Sequence, residues 1–527
     1  MLRALTAPGG MVTAPHHLAA QTGNAVLRDG GNAVEAMVAA AATIAVVYPH
    51  MNSIGGDGFW LISRPGEAPV GIDACGRAAG LATPDWYAQQ GLSAIPSRGP
   101  MAALTVAGAV SGWEAALQHS GGKLPLSRLL RDAIGYARQG APVTGSQVHY
   151  TTRFIEELAP QPGYPNTFLR DGAAPPANSL QRFPALGDTL QQLAERGLDD
   201  YYRGELARRV AAELERLGSP LRLADLQRQR AQIVAPLSVQ LSVGKVYNLP
   251  PPTQGLASLM ILALFDRIRS GIGGDTFAHV HGLVEATKQA FLVRNHHVCD
   301  PAAMTVDPSD FISNEALDER ARAIDARKAR PWPEQAAKGD TVWMGAADAQ
   351  GCMVSYIQSV YWEFGSGVVL EDTGVNWQNR GASFSLDPAS HVVLAPGRKP
   401  FHTLNPALAR LSDGREMVYG NMGGDGQPQS QAAIFSRYAM YGQDLQQAVS
   451  APRWLLGRTW GQMSVGLKLE SRFDTSLVEA LRAAGHELEV VDAYSDLVGH
   501  AGAIARLPGG MLEGAADPRS DGVVAAH

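Results

Sequence analysis

The sequence changes character at Gly339-Asp340-Thr341, and this junction constrains the fold more than any other feature. A charged helical segment, Asn314 to Lys328, precedes it and runs into a proline-containing linker. Two strand-like runs, 342–347 and 352–357, follow it directly. Asp348-Ala349-Gln350-Gly351 joins these runs and is typical of a hairpin turn. The pattern therefore predicts that Thr341 stands at the start of the first strand of a buried β-hairpin.

A threonine in this position suits one particular chemistry. Its hydroxyl is a poor nucleophile until a base takes the proton, and the α-amine of an amino-terminal threonine can be that base. The pKa of such an amine is near 8, so much of it is neutral at physiological pH. The hydroxyl can also attack the preceding carbonyl and so release itself from a precursor. The triplet alone is not specific, because ordinary turns into strands contain it as well.

Bulk properties exclude several classes of function. The 527 residues are 45% hydrophobic, enough for a large core, and the formal net charge is −6 with a pI near 6.2. No basic block with interleaved aromatic residues indicates a nucleic-acid partner. The longest apolar run, Ala36 to Tyr48, is too short for a membrane span and predicts a buried helix.

The cysteines and the amino terminus indicate a reduced, cytoplasmic setting. Three cysteines, at positions 75, 299 and 352, cannot form a disulfide framework, and their spacing matches no metal site. The first residues contain no apolar core typical of a signal peptide. Histidine pairs such as His16-His17 form no ligand set, so we expect neither a metal nor an organic cofactor.

Elsewhere the patterns predict a mixture of helices and strands. Asn32 is a good N-cap for a helix over Ala33–Val47, and 59–63 reads as a buried strand. The middle of the chain, about 124–264, reads as mainly helical with long loops. Further helices are predicted at 15–27, 256–268, 277–293, 314–328 and 444–450, and further strands near Val368 and Leu408. Composition marks no domain boundary.

A set of motifs, in order along almost the whole chain, resembles the γ-glutamyltranspeptidase family of N-terminal nucleophile hydrolases. Each motif is common alone, but the set is specific. The motifs are Gly10–His16, Leu27–Ala33, Tyr48–His50, Gly55–Phe59, Leu283–Ala286, Gly339–Thr341, Gly365–Val368, Gly423-Gly424 and Gly514–Gly522.

The resemblance implies an α+β fold, a four-layer αββα sandwich. It implies self-cleavage between Asp340 and Thr341 into fragments 1–340 and 341–527, which stay associated as one composite fold. Thr341 would be both the processing site and the nucleophile. Ser359 matches the family's hydroxyl partner of the nucleophile.

The resemblance also implies an oxyanion hole and part of a substrate site. Gly423 and Gly424 match the glycine pair whose backbone amides bind the tetrahedral oxygen, where the absence of a side chain permits close approach. Thr403 falls where the family has a serine near the substrate. His402, beside it, is either a substrate contact or a structural histidine.

The residues that hold a γ-glutamyl group in the family are replaced here. The carboxylate-binding arginine position is Cys75, and Arg77 lies two positions further along. Ser383 stands where an acid binds the α-ammonium, and Tyr361 replaces an asparagine. Because an ammonium ion without a carboxylate partner is costly to desolvate, the γ-glutamyl site looks dismantled.

A small anionic amide suits the site that remains. Tyr361, Trp377 and Phe384 provide bulky walls, and the candidate cations are Arg77, Arg380 and Arg398. This profile is similar to the oxamate amidohydrolase branch of the family, which releases ammonia from oxamate in purine degradation. Alternatives are a γ-glutamyl hydrolase or transpeptidase, a cephalosporin-type acylase, and an inactive binding scaffold.

Overall fold

The structure is a computed structural model that describes residues 3–269, 271, 273–332, 340–457 and 466–527, with Asp340 described by its backbone alone. Two seven-stranded sheets form its centre. Sheet I consists of β2 (Gly10–Ala14), β3 (Asp57–Ser63), β4 (Val70–Ala74), β7 (Gln232–Val234), β10 (Asp340–Asp348), β11 (Met353–Tyr361) and β21 (Val523–Ala526). Sheet II consists of β1 (Leu5–Ala7), β8 (Leu237–Leu241), β9 (Gly244–Asn248), β14 (Ala407–Leu411), β15 (Glu416–Asn421), β19 (Ala501–Arg506) and β20 (Leu512–Ala516).

Neighbouring strands of both sheets are antiparallel. Sheet I runs β21-β2-β10-β11-β3-β4-β7, and sheet II runs β1-β20-β19-β15-β14-β9-β8. Smaller sheets pair β5 (Ala141–Pro142) with β6 (Leu180–Gln181), β12 (Val369–Leu370) with β13 (Val375–Asn376), and β16 (Trp454–Leu456) with β17 (Leu467–Glu470) and β18 (Leu488–Val491).

Helices cover the outer faces of both sheets. Against sheet I and its extensions lie α1 (His17–Arg28), α2 (Ala33–Val47), α3 (Pro84–Gln89), α4 (Ala109–Ser120), α5 (Leu126–Leu129), α6 (Arg131–Gln139), α7 (Gly145–Arg153), α8 (Ile155–Leu158), α9 (Tyr164–Phe168), α10 (Pro184–Arg196), α11 (Asp200–Arg203), α12 (Glu205–Leu217) and α13 (Leu223–Arg228). Against sheet II lie α14 (Gly255–Ile268), α15 (Phe277–His297), α16 (Asn314–Arg322), α17 (Gly426–Phe435), α18 (Leu445–Ser450) and α19 (Thr475–Ala483). Short 3₁₀ turns occur at Pro301–Ala303, Pro308–Ile312, Arg380–Ser383 and Asp496–Val498, and Ser436–Met440 continues α17 as a π-helical turn.

Three apolar cores fill the spaces between these layers. The middle core lies between the sheets and joins side chains such as Phe59, Trp343 and Ile357 of sheet I to Val418 and Ile504 of sheet II. The other two cores fill the space between each sheet and its helices. The four-layer αββα architecture expected from the sequence is confirmed. No helix in the described ranges has an apolar stretch long enough to cross a membrane.

Several elements confirm the sequence-based predictions. Helix α2 spans Ala33–Val47, and Asn32 caps it by accepting hydrogen bonds from the backbone of Val34 and Glu35. The predicted hairpin is β10 and β11, and the predicted helix at 444–450 is α18, with Asp444 as its N-cap.

Three predictions of extent were wrong. Helix α15 ends at His297, four residues beyond the predicted end at Val293. Helix α16 ends at Arg322, not Lys328, because Asp325 accepts hydrogen bonds from the backbone of Arg327 and Lys328 in a turn. The predicted first helix begins at His17, with His16 as its N-cap. The helical reading of the middle segment missed β7, β8 and β9.

Candidate active site

Thr341 lies in the centre of sheet I, where the regular ladder is interrupted. Strand β10 sits between β2 and β11, and its register against β11 shifts between Asp340 and Val342. Thr341 is therefore at a β-bulge, a feature that turns a side chain away from its regular direction. The residue is 1% exposed, and the side-chain amide of Gln427 donates to its Oγ1 at 3.3 Å.

Ser359 and Tyr361 form the end of the neighbouring strand β11. The Ser359 hydroxyl accepts a hydrogen bond from the Tyr361 backbone N–H at 2.8 Å. Tyr361 pairs with Asp340 across the two strands, and its φ of +84° lies in a region that side-chain-bearing residues rarely adopt. Such backbone strain is kept where the surrounding structure requires it, often at functional sites. The bulge and the strained residue thus lie together at the predicted cleavage position between Asp340 and Thr341.

Gly423 and Gly424 form the sharp connection between β15 and α17. Their φ angles are +112° and +52°, conformations that glycine adopts without steric cost. Their carbonyls accept hydrogen bonds from the backbone of Gly426 and Gln427, which start the helix. Within the described ranges, the N–H groups of both glycines lack an acceptor. Two free N–H donors at a helix start can bind an anionic oxygen.

Arg380 is a fully buried cation with free hydrogen-bonding capacity. Its guanidinium carbon lies 3.9 Å from the centre of the Tyr361 ring, and Nη1 donates a long hydrogen bond of 3.4 Å to the Thr403 hydroxyl. Nε and Nη2 have no hydrogen-bond partner in the described part of the chain, and no described carboxylate lies within ion-pair distance. Burial lowers the pKa of Arg380 to about 10, so the group is cationic at neutral pH.

His402 belongs to a buried network beneath Arg380. Its Nε2 lies 3.0 Å from Asp57 Oδ2, while Asp57 Oδ1 also accepts from the backbone of Gly76 and Gly108. Burial, with Arg380 nearby, holds the pKa of His402 well below its usual range, so the imidazole is neutral. Burial raises the pKa of Asp57 to about 6. His402, next to Thr403 in the chain, is therefore anchored to Asp57.

The other two candidate cations are engaged elsewhere. Arg77 is part-exposed, donates to the Gly397 carbonyl at 3.0 Å, and lines a separate cavity with Asp225 and Arg228. Arg398 is part-exposed and donates to the Val393 carbonyl at 2.7 Å. Of the three arginines, only Arg380 is fully buried and contacts Tyr361 and Thr403.

The positions that depart from the family pattern carry no compensating charge. Cys75 is buried and burial raises the pKa of its thiol, so it is protonated. The Ser383 hydroxyl donates to the Arg380 carbonyl at 2.9 Å. Neither residue offers what an α-ammonium or an α-carboxylate would need.

Two groups of side chains have the composition of a metal site. Asp57, Cys75 and His402 have ligand atoms within 4.8 Å of one another, and so do His281, Glu285 and His486. In the first group Asp57 and His402 bind each other and the thiol is protonated. In the second group His281 Nδ1 lies 2.9 Å from His486 Nε2.

The second group also contains its own cation. Lys288 Nζ binds Glu285 at 2.6 Å. The members of each group thus bond mainly to one another, although His402 Nδ1 has no hydrogen-bond partner in the described part of the chain.

Sequence reasoning missed the buried polar residues that hold the glycine turn. Gln254 donates to the carbonyls of both Thr403 and Gly424, at 2.6 and 2.8 Å. Arg294 forms a buried ion pair of 2.6 Å with Asp425. Gln427, which contacts Thr341, was missed as well. The available signal was the polar run Asp425–Gln429 directly after the glycine pair, where a helix start would be expected.

Comparison with known proteins identifies the family of the chain. The family model for γ-glutamyltranspeptidase matches residues 19–527. The chain belongs to this family. The oxamate amidohydrolase proenzyme of Klebsiella pneumoniae is 56% identical over 98% of each chain. The glutathione hydrolase-like YwrD proenzyme of Bacillus subtilis is 40% identical over 97% of each chain.

The γ-glutamyltranspeptidase fold also agrees with solved structures. The crystal structure of cephalosporin acylase from Bacillus halodurans superposes with a TM-score of 0.91 at 34% identity, over 100% of this chain and 97% of the other. The resemblance inferred from the motifs is confirmed. The chain is an amidohydrolase of the γ-glutamyltranspeptidase family with the N-terminal nucleophile hydrolase fold.

Proposed function

We propose that the protein cuts itself between Asp340 and Thr341 and then hydrolyses oxamate to oxalate and ammonia. The observation that carries the substrate assignment is Arg380, a buried guanidinium with two free nitrogens, stacked on the residue that pairs with Asp340. A buried cation of this kind suits a small carboxylate. The 56% identity with an oxamate amidohydrolase supports the same assignment.

The cleavage step uses the residues of the bulge. The Thr341 hydroxyl attacks the carbonyl of Asp340, the peptide C–N bond breaks, and the released nitrogen takes the hydroxyl proton. Water then hydrolyses the resulting ester to give fragments 1–340 and 341–527. Strands β2, β3, β4 and β7 of sheet I come from the first fragment, and β10, β11 and β21 come from the second. Because the strands interleave in both sheets, the fragments stay associated after the cut.

The hydrolysis follows from the freed amino terminus. The Thr341 amine takes the proton from Oγ, and Oγ attacks the amide carbon of oxamate. The N–H groups of Gly423 and Gly424 bind the developing oxyanion, with Ser359 beside the nucleophile. Collapse passes the proton to the leaving nitrogen and releases ammonia. Water then cleaves the oxalyl ester to give oxalate and restores Thr341.

Arg380 and Thr403 bind the substrate in this scheme. The guanidinium holds the oxamate carboxylate through its free nitrogens, and Tyr361 forms one wall of the site. His402 supports Thr403 from below. We place the reaction in the cytoplasm, as an ammonia-releasing step of purine degradation, where the buried thiols of Cys75, Cys299 and Cys352 stay reduced.

The decisive experiment compares three substrates on fully cleaved protein. Oxamate, γ-glutamyl-p-nitroanilide and a glutaryl-cephalosporin are assayed side by side for ammonia or amine release. We expect efficient turnover of oxamate alone. Turnover of the γ-glutamyl compound with none of oxamate would refute the proposal, and turnover of the cephalosporin alone would favour an acylase.

A further inference from the structure

The side chain of Gln427 has two ends with different surroundings. Its amide nitrogen donates to Thr341 Oγ1 at 3.3 Å. Its amide oxygen is buried and has no hydrogen-bond partner in the described part of the chain, and the residue is 0% exposed. A buried acceptor that is left unsatisfied is costly, and a bound ligand that donates to it is one way to remove that cost.

We propose that the Gln427 oxygen accepts an N–H of the scissile primary amide and so makes the enzyme selective for primary amides. This inference rests on the proposed function, since it assigns a specificity contact within the same site. Gln427 would then hold the nucleophile with one end and the leaving nitrogen with the other.

The distances on both sides of the nucleophile agree with this contact. The oxygen and nitrogen of a carboxamide are about 2.2 Å apart, so the Gln427 oxygen lies within about 5.5 Å of Thr341 Oγ1. An amide carbon poised for attack lies about 3–3.5 Å from the nucleophile, which puts its nitrogen within about 5 Å. The Gln427 oxygen and the substrate nitrogen therefore lie at similar distances from Oγ1. A hydrogen bond of ordinary length can join these two atoms.

The direction of the Gln427 amide follows from the chemistry. Thr341 Oγ must give its proton to the α-amine, and an amide oxygen bound to that hydroxyl would compete for the proton. A donating nitrogen at Oγ does not compete for this proton. It also leaves the oxygen as the end that faces the leaving group, and a primary amide has two N–H groups to offer it.

The position of Gln427 in the fold makes the contact rigid. The residue lies in the first turn of α17, directly after the glycine pair, and its backbone N–H donates to the Gly424 carbonyl. The oxyanion donors and the leaving-group acceptor are therefore on one continuous segment. Substrate carbonyl and substrate nitrogen would be held by neighbouring residues of the same turn.

The test compares oxamate with monomethyl oxalate, an ester that forms the same oxalyl enzyme but has no N–H. The values of kcat/KM report the acylation step for each substrate. Gln427→Met keeps the side-chain length and removes both hydrogen-bonding ends. We expect it to lower the ratio of amide to ester kcat/KM at least tenfold. Gln427→Glu keeps the acceptor, so the ratio should stay within about threefold of wild type, because both substrates are anions and are repelled alike.

Gln429 provides the matched control on the same helix. Both ends of its amide are bonded within the protein, to the backbone of Asp425 and Leu456. Gln429→Met should leave the ratio of amide to ester unchanged even if it lowers stability. Gel electrophoresis must first show that each variant is fully cleaved.

The outcomes separate the inference from the proposed function. If Gln427→Met slows both substrates equally, Gln427 only positions Thr341 and the inference is wrong; if it slows neither, the inference is wrong as well. If the wild-type protein releases no ammonia from oxamate, the proposed function fails and takes the inference with it. A lowered ratio in the methionine variant, restored in the glutamate variant, supports it.

Discussion

Replacing Arg380 with methionine tests the substrate site most directly. Methionine keeps much of the apolar contact with the Tyr361 ring but removes the charge. In the proposed complex the oxamate carboxylate leaves water to meet a buried guanidinium with two free nitrogens. Removing one partner of such a buried pair costs about 3–5 kcal/mol. At about 1.4 kcal/mol per factor of ten, KM for oxamate should rise by roughly two to four orders of magnitude.

The same substitution should not weaken the fold. Arg380 has no described carboxylate at ion-pair distance, and burial lowers its pKa to about 10, which shows that desolvation of the charge opposes folding. Arg380 attracts the nearby carboxylate of Asp57 but forms no ion pair with it. Because the cost of desolvating the guanidinium exceeds this attraction, removing the charge should leave the melting temperature unchanged or raise it. Loss of binding together with retained stability would distinguish a substrate contact from a structural residue.

The assay measures ammonia release against oxamate concentration on cleaved protein, with thermal melting in parallel. Arg398→Met is the matched control, because that arginine donates to the Val393 carbonyl and is part-exposed. Arg380→Lys should fall between the two, since a lysine keeps the charge but not the planar two-nitrogen fork. A KM for Arg380→Met within threefold of wild type would refute the reasoning.

Three further predictions concern processing, the oxyanion site and pH. Thr341→Ala should remain one uncut chain without activity, whereas Thr341→Ser should still be cut, as seen by gel electrophoresis and amino-terminal sequencing; an active, uncut alanine variant would contradict the mechanism. Gly423→Ala should lower kcat at least about 10²-fold, because φ is +112° and the new Cβ would lie 3.3 Å from Gly499; undiminished turnover would place the oxyanion site elsewhere. Burial raises the pKa of Glu363 from 4.5 to about 7, because the buried carboxyl is more stable protonated than ionised. The protonated form favours the folded state fully below pH 4.5, and this stabilisation is lost as pH rises to 7. Glu363→Gln should therefore match wild type near pH 4.5 and exceed it by up to about 3 kcal/mol at pH 8 in denaturant melts, and equal stability at both pH values would contradict this.

The sequence was sufficient for the order of the motifs and for most local elements. Helix α2 could be predicted to the residue because a capping box and an apolar run are local signals. The β10–β11 hairpin could be predicted as well, since its turn residues and its two strand-like runs are signals that extend over only a few residues. Strand β7 was missed because its pairing partner, β4, lies far away in the chain. The β8–β9 hairpin is local, and it was missed because the whole middle segment was predicted to be mainly helical.

Some residues of the candidate site could likewise be predicted from the sequence, and others could not. Thr341, Gly423 and Gly424 were predicted from motifs, because the backbone chemistry requires particular residue types at those positions. Among the arginines the sequence offered Arg77, Arg380 and Arg398 as equals, since a charge in a sequence carries no information on its burial or its partners.

Only the tertiary structure shows how the three arginines differ. Folding buries Arg380 against Tyr361 and leaves two of its nitrogens free, while it gives Arg77 and Arg398 backbone carbonyls at part-exposed positions. Folding likewise brings Gln427 to Thr341 across 86 positions of the chain. Motifs and helix caps are local, so the sequence determines them by itself. The burial of a side chain and its hydrogen-bond partners depend on how distant segments pack, so only the tertiary structure determines them.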